Sequence, residues 1–293
     1  MRAAQFSKTL AIASFASVLL VSAQAAEIHY FSQGATLYNY NSGTSALSSV
    51  TTKDSTGADV KLSALAFDPN GVLWGQSPDQ VNLTEGKFYT VNLLTGIVTF
   101  QFLMPVNTTV GARGNMNTFD FRQNGSSLEI VGFVDRSGGN QDTFERITTT
   151  GAFLGGYNTV SNNPSFPASA YDASTDTVYA TNGSDFSARK YDPAGDSAGG
   201  TLLGSTGTSW TTAGGAFWNN DFWMSTGNAS GTLTFGKVSK TTGAFTTQFT
   251  VGGLPVISSG NTHGYAISPV PEPTTMLALG LGALMVARRK RSK

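Results

Sequence analysis

Histidine, the usual carrier of acid–base and metal chemistry near neutral pH, occurs twice in 293 residues, at His29 and His263. Two imidazoles with no cysteine in the chain and no further ligand at a metal spacing do not make a metal centre. The simpler reading is a pair of solvated or locally hydrogen-bonded histidines, so no metal and no cofactor are expected. No serine stands out as a nucleophile, and a Ser-His-Asp triad would have to use His29 or His263. Asp68-Pro69-Asn70-Gly71 has the oxygen-rich look of part of a calcium loop. It lacks the rest of that pattern and the distal glutamate, and reads as a turn. Asp120, Asp172 and Asp221 fall near turns, and Asp135, Asp142 and Asp185 in connections. A glycosidase working through two carboxylates could draw on these, yet nothing in their spacing selects a pair. No catalytic residue is assigned.

Aromatic residues offer binding rather than bond-breaking chemistry. Trp74 and Trp223 occupy equivalent places in a repeat and read as core wedges. Trp210 and Trp218 do not recur. Trp210 lies in a Ser/Thr/Gly-rich connection, and Trp218 stands beside Asn219, Asn220 and Asp221. An aromatic ring next to amide and carboxylate groups suits a sugar-binding edge. Trp210, Trp218, Asn219 and Asp221 are therefore the candidate ligand-binding residues, with ordinary packing as the simpler alternative.

The elements that would hold these residues are strands. A short apolar segment that opens on small residues and closes on a large one recurs at Ala64–Phe67, Thr118–Phe121, Ser169–Tyr171, Gly215–Phe217 and Gly264–Ile267. Each of the first four is followed by a turn and a second strand. A further hairpin then turns at Thr95-Gly96, at Thr150-Gly151, within 195–200, or at Thr242-Gly243. Glycine at such turns supplies the positive φ that tight connections need. The runs alternate and are rich in Val, Thr, Tyr and Phe, and no helix is expected between Glu27 and Ser268.

Four short strands per period of about 50 residues is the signature of a β-propeller. The expected blades are 62–103, 116–157, 168–205, 214–250 and a composite of 28–50 with 262–268. The composite arises because the N-terminal stretch lacks a first strand and the C-terminal stretch has only a first strand. The fold class is thus all-β, a single five-bladed propeller closed by pairing its two ends, with a β-sandwich or jelly roll as the alternative. Asp68-Pro69-Asn70-Gly71 and the Thr-Gly turns resemble those of the quinoprotein-like and Kelch-like propellers, without any active-site motif.

Both ends of the chain read as targeting segments. Arg2 and Lys8, an apolar run from Leu10 to Val21, and Ala23-Gln24-Ala25 form a signal peptide over 1–25, cleaved after Ala25. Residues 270–293 read in three pieces. Val270, Pro271, Glu272 and Pro273 are stiff and extended, because each proline fixes its own φ and restricts its predecessor. Residues 276–287 form an apolar segment that is short for a bilayer: 12 residues of helix span roughly 18 Å against the ~30 Å hydrocarbon core. Arg288, Arg289, Lys290 and Arg291 open a basic cluster over 288–293 that stays cytoplasmic. The body is 26–269. Residues 1–25 and 276–293 hold seven of the 18 basic residues and none of the acidic ones, leaving a net of about −7 between them. That charge argues against nucleic acid as a partner.

The tail resembles the PEP-CTERM sorting signal of Gram-negative bacteria. The resemblance implies recognition and processing by an exosortase, a membrane-embedded enzyme, after export through the Sec translocon and cleavage by signal peptidase. It implies transient anchoring by a short transmembrane helix and a final place at the cell surface or in the extracellular polysaccharide matrix. The expected function is a non-enzymatic structural or glycan- or protein-binding body of a biofilm-type surface. The alternative is a secreted polysaccharide lyase or hydrolase using carboxylates at the propeller mouth.

Overall fold

A computed structural model describes residues 27–77, 86–108, 114–135, 143–158, 167–195, 200–210, 212–227, 230–256 and 263–269. The expected signal peptide, the segment 270–293 and Asp142 lie outside these residues.

Twenty strands form five four-stranded antiparallel sheets. In chain order they are β1 (Glu27–Gln33), β2 (Thr36–Asn41), β3 (Ala46–Thr51), β4 (Ala64–Phe67), β5 (Leu73–Ser77), β6 (Lys87–Val91), β7 (Val98–Leu103), β8 (Asn115–Asn124), β9 (Ser127–Asp135) and β10 (Thr143–Thr148). They continue as β11 (Phe153–Asn158), β12 (Ala168–Asp172), β13 (Thr177–Asn182), β14 (Ser187–Tyr191), β15 (Thr201–Ser205), β16 (Thr212–Trp218), β17 (Asp221–Gly227), β18 (Leu233–Val238), β19 (Phe245–Val251) and β20 (Tyr265–Pro269). Four sheets are consecutive meanders, and the fifth has the order β20-β1-β2-β3. The expected composite blade is therefore present: Glu27 pairs with Pro269 and Phe31 with Tyr265, so the last strand closes a sheet begun by the first.

Strands β4, β8, β12, β16 and β20 touch one another around a ring, which makes them the innermost strand of each blade. Their small residues have a steric cause. A Cβ on Gly215 would lie 2.4 Å from the Ser169 carbonyl oxygen, and one on Gly264 would lie 2.7 Å from the backbone of Ala64 and Leu65. Apolar clusters fill the wedges between neighbouring blades. Trp74 packs between Phe102 and Phe121, and Trp223 is buried with Phe31, Phe235 and Tyr265, so both tryptophans are wedges.

The turn after each third strand is held in one way throughout. Asn41, Asn92, Thr148, Asp192 and Ser239 each accept a hydrogen bond from a backbone N–H two residues on. Asp68 does the same after the first strand, accepting from the Asn70 and Val72 N–H groups at 2.9 Å. The Asp-Pro-Asn-Gly stretch is a turn.

Candidate ligand-binding groove

Two regions could host chemistry: the axis of the ring, and the seam where β1 and β20 meet the blade β16–β19. The axis is narrow. Its cavity is about 60 Å³, lined by residues of β4, β8, β16 and β20 that include Phe67, Phe119, Phe217 and Ile267. Asp120 is its sole lining carboxylate among the described residues. It sits on the inner strand β8 rather than at a turn. One Asp120 oxygen accepts from the Phe121 N–H at 2.8 Å and the other from the Tyr171 N–H of the next blade at 2.9 Å. Burial still pushes the Asp120 carboxyl up to about 6, outweighing those two bonds.

The seam holds a groove of about 450 Å³ lined by Glu27, Tyr40, Ser42, Gly43, Ser45, Asn219, Trp223, Lys237, Gln248 and Phe249. Each part is placed by a local rule. Trp218 pairs with Asp221 across a two-residue hairpin, and Asn219 and Asn220 take φ of 49° and 65°. This is the positive-φ turn that asparagine tolerates, and it puts Asn219 at the rim. Glu27 is fixed where the chain enters β1: its N–H donates to the Ser42 hydroxyl at 3.1 Å, and the Ser42 N–H donates to its carbonyl at 3.0 Å. Gln248 is an extra residue in β19, because Phe235 pairs with Phe249 while Gly236 pairs with Thr247. Such a bulge re-aims one side chain, here into the groove. The same bulge leaves Gln101, Leu154 and Leu203 unpaired in three other blades.

Lys237 is held 2.6 Å from the Asp221 carboxylate, with its ammonium 5.1 Å from the centre of the Trp223 ring. Phe249 stacks on Tyr40 at 4.9 Å and meets His29 edge-on at 4.8 Å. Beneath them, His29 is fully buried, contrary to the solvated reading. Its Nδ1 lies 2.7 Å from the Tyr265 hydroxyl and its Nε2 3.4 Å from Glu27. Burial, followed by the Glu27 charge, holds the Tyr265 phenol well above its ordinary value, so it stays a donor. His263 is buried too, 2.7 Å from the Ser225 hydroxyl, and burial brings it down to about 4. The two histidines serve separate contacts, and no group of three metal-capable side chains occurs among the described residues.

Of the four candidate ligand residues, Asn219 lines the groove and Asp221 holds its lysine. Trp218 packs against the apolar cluster beneath it. Trp210 is elsewhere, edge-on to Phe186 at 4.9 Å. Sequence reasoning missed Glu27, Tyr40, Lys237, Gln248 and Phe249. The signal that could have found them is the composite blade, which brings residues 27–45 beside 219–249.

A third cavity, about 440 Å³, is lined by Asp176 and Asp192 with Lys190 and Tyr191. Both acids are engaged. Asp176 receives two bonds of 2.7 Å from Arg122 and one of 2.8 Å from Tyr171, and Arg122 holds its carboxyl below the usual range. Asp192 caps its own turn. Asp172 is buried at the end of β12; burial raises its carboxyl, but bonds from Ser174 and Lys240 outweigh this and lower it. Asp185 accepts from the Ser187 N–H in the β13–β14 turn. Contrary to the reading that no serine stands out, Gly195-Asp196-Ser197-Ala198-Gly199 spells the letters of a nucleophile elbow. It joins β14 to an antiparallel neighbour rather than a strand to a helix, and 196–199 lie outside the described residues.

Residues 269–291 match the PEP-CTERM protein-sorting motif. The motif marks a protein that is exported and processed at the membrane by an exosortase. It begins at Pro269, the last residue of β20, so the sorting tail leaves the ring from its closing strand. No helix among the described residues is long and apolar enough to cross a membrane, and 276–287 fall outside them. No curated protein sequence matches the chain.

Among solved structures, a chain of a nidogen/laminin complex is 10% identical, covering 82% of this chain and 98% of its own, with a TM-score of 0.46. A Bacteroides uniformis chain provisionally described as a 6-phosphogluconolactonase is 12% identical over 77% of this chain and 68% of its own, with a TM-score of 0.41. The Dos1 propeller is 12% identical over 74% and 54%, with a TM-score of 0.38.

Proposed function

We propose that this is a surface or extracellular-matrix protein whose propeller binds a glycan or protein partner and performs no catalysis. The observation that carries the reading is the sorting motif at 269–291, attached directly to the strand that closes the ring. The signal peptide over 1–25, with cleavage after Ala25 by signal peptidase following Sec export, belongs to the same reading. Six residues, 270–275, separate β20 from the apolar run. Fully extended they reach about 20 Å, so a body held by the apolar run stays close to the membrane until the tail is processed.

A binding role is supported by what surrounds the carboxylates. Among the described residues the axis and the seam groove each present one lining carboxylate, and the two in the third cavity are bound to Arg122 or capping a turn. A glycoside hydrolase working through two carboxylates would need a free pair.

The test is deletion of Val270–Lys293, followed by fractionation and intact-mass analysis of the parent protein. The expected parent begins at Ala26 and ends between Pro271 and Thr275, and the deletion mislocalises the body. Unchanged surface display after deletion would overturn the sorting role. Hydrolysis or elimination of a surface polysaccharide by the parent would overturn the non-catalytic one.

A further inference from the structure

We propose that the seam groove is a binding site for neutral sugar units and selects against uronates. This deepens the binding role above and rests on it. Size comes first: about 450 Å³ lies within the range of small-ligand sites, whereas the 60 Å³ axis does not. The lining then fixes the class. Half-buried Tyr40, backed by Phe249, which is itself stacked on Phe235 at 4.9 Å, supplies an apolar side suited to the C–H face of a sugar ring. Exposed Asn219, Gln248 and Ser45, with Ser42, supply amides and hydroxyls that both donate and accept, as a ring of hydroxyls requires.

Charge decides between kinds of sugar. Lys237 is the sole lining cation among the described residues, and it is held 2.6 Å from Asp221. Glu27 then remains as a net negative charge, so an anionic ring meets repulsion with no free cation to offset it. Gln248 points to selection of position as well as composition. The bulge puts an amide where the regular ladder would have turned a side chain elsewhere.

The test is calorimetric titration of the full-length protein in a detergent without a sugar headgroup. The probes are tetrasaccharides of β-1,4-glucose, α-1,4-glucose, β-1,4-mannose and β-1,4-N-acetylglucosamine, with tetragalacturonate as the acidic counterpart. At least one neutral probe should bind about tenfold more tightly than tetragalacturonate. Gln248→Ala should weaken that binding about fivefold with unchanged thermal unfolding. Glu27→Gln should narrow the neutral-to-acidic ratio to about threefold or less. No neutral binding up to about 10 mM, a preference for the uronate, or binding untouched by Gln248→Ala would each overturn the proposal. Localisation of the same protein is scored separately. Export with correct processing but no sugar binding sinks the groove and leaves the sorting role intact. Sugar binding by a protein that is never exported does the reverse.

Discussion

The axis of the ring and the seam where it closes share two blades and leave opposite amounts of room. At the axis, five inner strands crowd until glycine and alanine are needed for backbones to pass, and about 60 Å³ remains. At the seam, a positive-φ asparagine turn, a strand bulge and the first residue of β1 spread apart around 450 Å³. Crowding also sets the chemistry. Asp120 at the axis has both oxygens occupied by backbone N–H groups, whereas groups at the seam keep exposed polar atoms. Closing a small ring fills its centre and leaves the larger space at the rim.

The largest effect expected from this contrast is at Gly215. A Cβ there meets the Ser169 backbone nitrogen at 2.6 Å and carbonyl oxygen at 2.4 Å, and backbone cannot yield as a flexible side chain can. Gly215→Val should cost about 3 kcal/mol or more in urea unfolding. A loss below about 1 kcal/mol would show that the inner ring is not crowded.

Next come the ion pairs, which differ between regions for the same reason. Arg122 is almost fully buried and joins Glu129 at 3.2 Å to Asp176 of the next blade at 2.7 Å. Removing it leaves a buried carboxylate poorly paired, so Arg122→Ala should cost about 3 kcal/mol at neutral pH. Because Arg122 lowers the Asp176 carboxyl, that pair stabilises above the unfolded carboxylate value and is lost as pH falls through the folded one. The variant's deficit should therefore shrink towards pH 3. Lys237 and Asp221 at the groove are both more than a third exposed, and Lys237→Met should cost under about 1 kcal/mol.

These contrasts show what a sequence carries and what it withholds. The blades were legible because strand period, turn glycine and small residues at inner strands are local properties that repeat every ~50 residues. The composite blade followed from counting which hairpin each end lacked. Asn219 was legible as a rim residue because it sits in a turn beside an aromatic strand. Glu27 and Tyr40 were not, since their partners lie about 200 residues away and only ring closure brings them together. Gln248 escaped because a bulge leaves no mark in the alternation of Phe245–Val251. The histidines misled through their polarity: each is buried by a ring junction that local pattern does not encode.

The pH dependence separates axis from seam by sign. Asp120 is raised to about 6, so the folded state holds its proton more tightly than the unfolded chain does. Its contribution is complete below the unfolded value near 4 and is lost as pH rises through 6. His263 is lowered to about 4, so its contribution is complete above the unfolded value near 6.5 and is lost as pH falls through 4. Each limb amounts to roughly 2 kcal/mol by pH 5, and in the parent they oppose one another. Asp120→Asn should unmask a stability that rises with pH between 4 and 6, and His263→Gln one that falls. Parallel slopes in the two variants would mean that neither site titrates in its own environment.

The smallest effect tests the rim itself. Ser45 closes the turn between β2 and β3 at φ 56°, is exposed, and lines the groove. A side chain in that left-handed conformation costs about 1–2 kcal/mol, while glycine gives back about 0.5–1 kcal/mol through the freedom of its unfolded chain. Ser45→Gly should therefore raise stability by a few tenths of a kcal/mol, detectable as a shift of the urea midpoint with unchanged slope. The sign matters more than the size. A ring that loses stability when a glycine is filled at Gly215 and gains it when one is introduced at Ser45 uses glycine for two reasons: space at the axis, and backbone conformation at the seam. If Ser45→Gly is destabilising, its hydroxyl rather than its backbone shapes the rim, and the seam is more tightly organised than its open volume indicates.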